Sequence, residues 1–171
     1  MEGVENLFGP LAGLLVWGVR RGHGSFLIME LGMPHLSIRE PIAPRHARSP
    51  QVRRDLQRRK IHIAGDWHLW VRYGQWELST AHGVLDSTSP VGSIGDECLA
   101  DLDGQRLRSV APGRLPRSCA FAFDLGGLLE VWPSTRIPDD QWSLHGRDGS
   151  VAAFQSDGSL VVDNAAAGEL R

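Results

Sequence analysis

The 171-residue sequence holds only two cysteines, Cys98 and Cys119, one tyrosine, Tyr73, and one lysine, Lys60. Two cysteines in apolar settings make no disulfide framework, so burial must hold the fold, and a reducing, cytoplasmic compartment is expected. Neither cysteine belongs to a Cys-x2-Cys pair, and none of the seven histidines forms a His-x-His or His-x3-His pair. Ligand spacing of the kind a zinc site needs is therefore missing, and no metal is expected. Long hydrophobic runs are missing too. The apolar stretch from Leu7 to Val19 follows Glu2 and Glu5 and is interrupted by Gly and Pro. That argues against a signal peptide and against a bilayer span, so no membrane partner is expected. A formal charge of −2 gives no global pull towards nucleic acid.

Catalytic signatures are equally scarce. No Gly-rich phosphate loop precedes a helix. In "RGHGSF", His23 and Ser25 lie in a turn pattern without the strand, nucleophile and helix of a serine elbow. The carboxylates of Glu30, Glu40, Asp66, Glu77 and Glu130 are scattered along the chain, and nothing selects a pair. No catalytic residue and no cofactor is expected.

What the sequence does contain is internal similarity. Displaced by 75 residues, Trp67, Leu69, Arg72, Gly74, Gly83 and Leu85 fall on Trp142, Leu144, Arg147, Gly149, Gly158 and Leu160, six identities in 21 positions. Upstream, Leu11, Gly13 and Val19 fall on Leu102, Gly104 and Val110, "LIMELG" falls on "FAFDLG", and Leu36 and Ile38 fall on Leu129 and Val131. Two tandem β repeats are expected, 11–87 and 102–163, with an Arg-rich insertion at 41–60, a linker with a short helix at 88–101 and a tail at 164–171.

Period-two alternation in "FAFDL" places Phe121, Phe123 and Leu125 on one face, and "LIMEL" does the same for Leu27, Met29 and Leu31. The turns "LGG", "RDG" and "SDG" suit tight hairpins. In the second repeat, strands are predicted at 107–111, 118–125, 128–132, 142–145, 150–155 and 159–163. Helices are predicted in "SIGDECLADLDG", with Ser93 as cap and Gly104 past its end, and in "SPQVRRDLQRR", with Ser49 as cap and Pro50 at the first helical position. The expected fold is mainly β: about twelve antiparallel strands in two duplicated halves, forming one sandwich or barrel-like body with one or two short helices.

The patterns "FDLGGLLEVWP" and "WSLHGRDG" in the second half resemble those of uncharacterised bacterial β-rich proteins of unknown function, and the preference for Arg over Lys suits a GC-rich bacterial genome. That resemblance implies no catalytic residue.

Two regions remain as a ligand or partner surface. In "GDWHLWVRYGQWELS", the comparison between repeats assigns Trp67 and Trp76 to the core. Trp70, opposite a histidine in the other repeat, stands out with His68, Arg72 and Tyr73. The insertion "RHARSPQVRRDLQRRK" carries seven basic residues against Asp55, with Arg53, Arg54 and Arg58 in its predicted helix. It lacks the interleaved aromatics of a single-stranded nucleic-acid platform, so nucleic acid is disfavoured. The function expected is a non-catalytic binding or protein-interaction module, of inhibitor or immunity type or a homo-oligomer. The alternatives are an enzyme or ligand-binding protein with a pocket between the repeats, and an acidic or nucleic-acid partner held by the insertion.

Overall fold

Alternating apolar residues separated by glycine turns produce thirteen strands in the structure, a computed structural model that describes residues 2–22, 25–45, 48–90, 93–134 and 139–163. His23, His46 and the tail 164–171 lie outside the described residues, as does the side chain of Ser93, the proposed cap. The chain runs α1 (Glu2–Phe8), a 3-10 turn, β1 (Val16–Arg21), β2 (Leu27–Leu31), β3 (His35–Arg39), α2 (Pro50–Leu56), β4 (Lys60–Ala64), β5 (Trp67–Val71), β6 (Gln75–Thr80) and β7 (Gly83–Asp86). It continues with α3 (Ser93–Leu102), β8 (Leu107–Pro112), β9 (Cys119–Phe123), β10 (Leu128–Trp132), β11 (Asp140–Gly146), β12 (Val151–Gln155) and β13 (Leu160–Asp163). All strand pairs are antiparallel. The orders are β1-β2-β5-β11-β12-β13, β7-β6-β10-β9-β8 and the separate pair β3-β4, so the sheets are open and do not close into a barrel. No helix among the described residues is long and apolar enough to cross a membrane.

The two larger sheets share one core and exchange strands. The chain enters the six-stranded sheet as β1, β2 and β5, then crosses to the other as β6 and β7. After α3 it enters the five-stranded sheet as β8, β9 and β10, then crosses back as β11, β12 and β13. Where β1 meets β8 the contacts are reciprocal. Gly13 N donates to Leu107 O and Gly104 N to Val16 O, while Leu107 N donates to Leu14 O and Val16 N to Gln105 O. Gly13 and Gly104 both have positive φ, at 86° and 97°, a backbone that side chains resist. α1 packs on β8, and α3 packs on β1.

The register differs from the one the identities suggest. Leu31 lies opposite Val16, and it is Phe123, not Leu125, that lies opposite Leu107. Leu125 is 74% exposed in the turn after β9. β5 and β11 are adjacent strands of one sheet, Val71 facing Trp142, and Trp76 takes the corresponding place opposite Val131 in the other. Leu36 and Ile38 leave the body entirely, whereas Leu129 and Val131 are fully buried. Self-similarity among short β segments carries little register information, because every strand repeats with period two.

Inward residues of both sheets interdigitate around aromatic rings. Trp142 stacks on Phe154 at 5.4 Å, with Phe8 and Phe121 edge-on to it at 5.4 and 6.0 Å. Trp76 and Trp142 are fully buried, while Trp67, expected in the core, only packs against its margin. Trp142→Ala should therefore lower the unfolding free energy by about 3–5 kcal/mol through the cavity it leaves. The half-buried Trp132 should cost less than about half of that on the same truncation. Urea unfolding of the two variants checks the difference.

Candidate functional site

Antiparallel register gathers distant residues into rows on the outer face of the six-stranded sheet. One row runs Trp17, Glu30, His68, His145 and Val151, and the next runs Ile28, Trp70, Ser143 and Ala153. His68, Trp70, Arg72 and Tyr73, singled out from sequence, lie together here. They sit on the outside of a sheet, and the space between the two sheets is filled by core.

Within the first row the polar groups satisfy one another. Glu30 is 5% exposed, and its carboxylate stands 2.8 Å from His68 Nδ1 and accepts from Gly65 N at 3.1 Å. Burial pushes its carboxyl up, but the hydrogen bonds from His68 and Gly65 and the charges of His68 and Arg20 outweigh burial and hold it below the ordinary 4.5. His145 lies 6.2 Å from His68, ring to ring, and its Nε2 is 3.0 Å from Ser143 Oγ. Burial, then the charges of His68 and Arg72, hold His145 below its ordinary 6.5, so it is neutral at pH 7. This Ser–His pair is not an activated nucleophile a substrate can reach, because Ser143 is 3% exposed. Cys119 is fully buried, and burial pushes its thiol up to about 11, so it too stays protonated.

The second row carries an aromatic and cationic cluster. The Arg72 guanidinium lies 4.6 Å from the Trp70 ring and 5.1 Å from that of Tyr73, and Phe26 meets both rings edge-on at 5.8 and 6.1 Å. Trp70 Nε1 and Arg72 Nε are buried without a hydrogen-bond partner among the described residues. Trp, Arg and Tyr packed this way are typical anchors of protein interfaces.

The larger feature is the arm formed by β3, β4 and α2. Its root is tightly specified. Gly32 has φ +84°, and a Cβ there would meet Asp66 Oδ2 at 2.7 Å, while a Cβ on Gly65 would meet Leu31 O at 2.6 Å. Asp66 Oδ2 also accepts from Met33 N at 2.8 Å. Beyond this root, Leu36 pairs with Ile63 and Ile38 with Ile61, which places all four on one face of a two-stranded ribbon. They are 68, 60, 55 and 61% exposed respectively. At the far end α2 is tied back by Arg39, whose guanidinium donates to Asp55 O at 2.9 Å, and by the Lys60–Asp55 ion pair at 2.8 Å. Arg53, Arg54 and Arg58 are exposed on and just beyond α2, on the arm and not on the face of the six-stranded sheet that carries Trp70.

Sequence reasoning thus missed Glu30 and His145, which strand register alone brings to His68. It also missed the apolar arm, although "HLSIR" and "KIHIA" carry its period-two signal. His62 and His68, far apart on an unbroken strand, line one groove of about 410 Å³ with Trp17, Arg20 and Glu30, because the chain turns at Gly65. Among the described residues no group of three or more His, Cys, Asp or Glu is placed to hold a metal ion. Compared with known protein families, curated proteins and solved structures, the chain matches none.

The polar row makes a pH prediction. A His145 held below 6.5 in the fold leaves the unfolded chain to bind the proton first, so stability falls as pH drops through 6.5 towards the folded value. Glu30, held below 4.5, contributes stability above that pH and loses it as pH falls through its folded value. Urea unfolding followed from pH 8 to pH 4 should show the first decline begin near 6.5. His145→Gln should remove that step and leave the acid limb.

Proposed function

We propose that the chain is a protein-interaction module and that the β3–β4 arm is its binding element. The observation that carries this reading is the exposed face of Leu36, Ile38, Ile61 and Ile63. An isolated two-stranded ribbon is marginal in water, and four aliphatic side chains on one face are what a partner covers, since scattered single residues would need no explanation. The arm is also where the basic residues gather. Eight of the chain's 18 Lys and Arg but only two of its 20 Asp and Glu lie in residues 35–64, a local net charge of +6. An apolar stripe flanked by arginines suits a protein surface of apolar and acidic groups. Phosphate recognition alone gives no use for the stripe.

The reciprocal contacts of the two sheets support a further part of this reading, that the body derives from a duplicated unit to which the arm was added. β3, α2 and β4 lie between β2 and β5, where the second half passes from β9 straight to β10. An addition that contributes nothing to either large sheet is free to serve recognition.

Affinity capture with the full chain as bait tests the reading. A stoichiometric protein, either another chain or a second copy, should be retained by the wild type. It should be lost with Ile38→Asp/Ile61→Asp, whose unfolding midpoint should match the wild type because both residues lie outside the core. It should also be lost with Ile38→Thr/Ile61→Thr, which keeps β-branched side chains at this cross-strand pair and so separates loss of the apolar face from loss of the arm. Retention by either double variant, or no stoichiometric partner of any kind, overturns the proposal.

A further inference from the structure

Charge is segregated between arm and body. With +6 on residues 35–64, the rest of the chain carries −8, ten basic against 18 acidic residues. Two arms laid face to face would cover their apolar stripes at the cost of bringing two such basic segments together. An arm laid on a body meets opposite charge.

The body has a place of matching chemistry. A cavity of about 760 Å³ opens between β1 and α3, floored by Val19, Leu99 and Ala100 and bordered by Asp96 and Asp103. Asp96 and Glu97 are exposed on α3, which bears no Lys or Arg, whereas Asp101 accepts from Ala81 N at 3.2 Å and pairs with His82 at 3.6 Å, and Asp103 accepts from Val19 N at 3.1 Å. Arg20 and Arg21 reach this cavity from β1 and keep their charge, so the acidic excess lies on the α3 side. Arg20 donates to Gly18 O at 2.9 Å, and Arg21 donates to Ser89 O at 2.8 Å and lies over the Trp76 ring. The groove borders β1, the edge strand of the six-stranded sheet, and the arm leaves from the end of β2, the strand beside it.

Resting on the reading of the arm as the binding element, we infer that its occupant is a second copy of this chain: each copy lays its arm in the β1–α3 groove of the other. Two reciprocal arm-and-groove contacts bury twice what a one-sided contact would, which favours a closed pair over a single docked arm. The twofold exchange also closes the assembly, since each copy has one arm and one groove, and leaves no open end for a filament.

Sedimentation velocity on the full chain tests the inference. The wild type should be a dimer at tens of micromolar and low salt, and should weaken as ionic strength rises and the Debye length falls from about 10 to about 3 Å. Ile38→Asp/Ile61→Asp should weaken it by roughly 100-fold or more. Arg54→Glu/Arg58→Glu in the arm and Asp96→Arg/Glu97→Arg on α3 beside the groove should each weaken it at least tenfold. These four side chains are solvent-exposed, so the fold should survive, and unchanged unfolding midpoints verify it. Mixing the two charge-reversed proteins should restore the dimer, because each reversed surface then meets its complement.

A wild type that stays monomeric at these concentrations overturns the inference. So does a dimer indifferent to Asp96→Arg/Glu97→Arg, which would point to arm-on-arm contact. Capture of a different protein, or salt-sensitive binding of a duplex oligonucleotide, by a monomeric chain overturns it as well. In that event the arm's role as binding element stands if Ile38→Asp/Ile61→Asp abolishes capture, and falls if it does not.

Discussion

The seam between β5 and β11 holds the body together. Leu69 faces Leu144 and Val71 faces Trp142 across it, and these pairs join a strand from the first part of the chain to one from the last. The seam between β6 and β10 does the same in the second sheet, with Trp76 facing Val131. Neither part of the chain can finish a sheet by itself, since the first supplies three strands to the six-stranded sheet and two to the five-stranded one, and the second supplies three to each. The two fully buried tryptophans sit on these seams, where large rigid side chains contribute most to packing. Crossing and seam therefore form one cooperative unit, and a cavity at either tryptophan is felt in both sheets.

That construction leaves the outer faces free to differ. The inner face must be apolar at every second residue, but the outer face obeys only the local demand that buried polar groups find partners. On the five-stranded sheet the solution is ionic. Glu130, 5% exposed, and Glu77 on the neighbouring strand both bind Arg114. On the six-stranded sheet the answering solution is Glu30 with His68 and the Gly65 amide, and it comes at the point where the arm departs. Glu30 thus links the polar row to the arm: its one carboxylate orients an imidazole on the sheet and fixes the glycine that ends β4.

How much of this could be read from the sequence follows from what each signal encodes. Alternation and glycine turns made the strands of the second half legible almost to the residue, as at Leu128–Trp132, and the composition at Ser49 and Pro50 marked α2. The N-terminal helix α1 was hidden because Leu7 and Phe8 read as the start of an apolar run that continues into β1, while Val4 stands apart between Glu2 and Glu5. Pairing was not legible. A displacement that lays Trp67 on Trp142 is sequence identity between strands that lie one beside the other, and nothing in the letters says that β6 is the strand placed as β11 is. His68, Trp70, Arg72 and Tyr73 were found because they are unusual. Glu30 and Ser143 are ordinary residues, and only register makes them neighbours.

The net charge of −2 illustrates the same limit. It suggests an electrostatically quiet molecule, yet it is the difference between a basic arm and an acidic body. Charges separated by more than a Debye length of roughly 8–10 Å act nearly independently in solution, so an approaching partner experiences whichever end it meets. A sum over the chain erases the quantity that orients association, which is the distribution. The arm's lack of a covering layer has the same character. Leu36, Ile38, Ile61 and Ile63 are as hydrophobic as their core counterparts, and composition counts them as core. What separates them is that Gly32 and Gly65 turn the chain away from both sheets, so that four residues otherwise fit for an interior are presented at the surface.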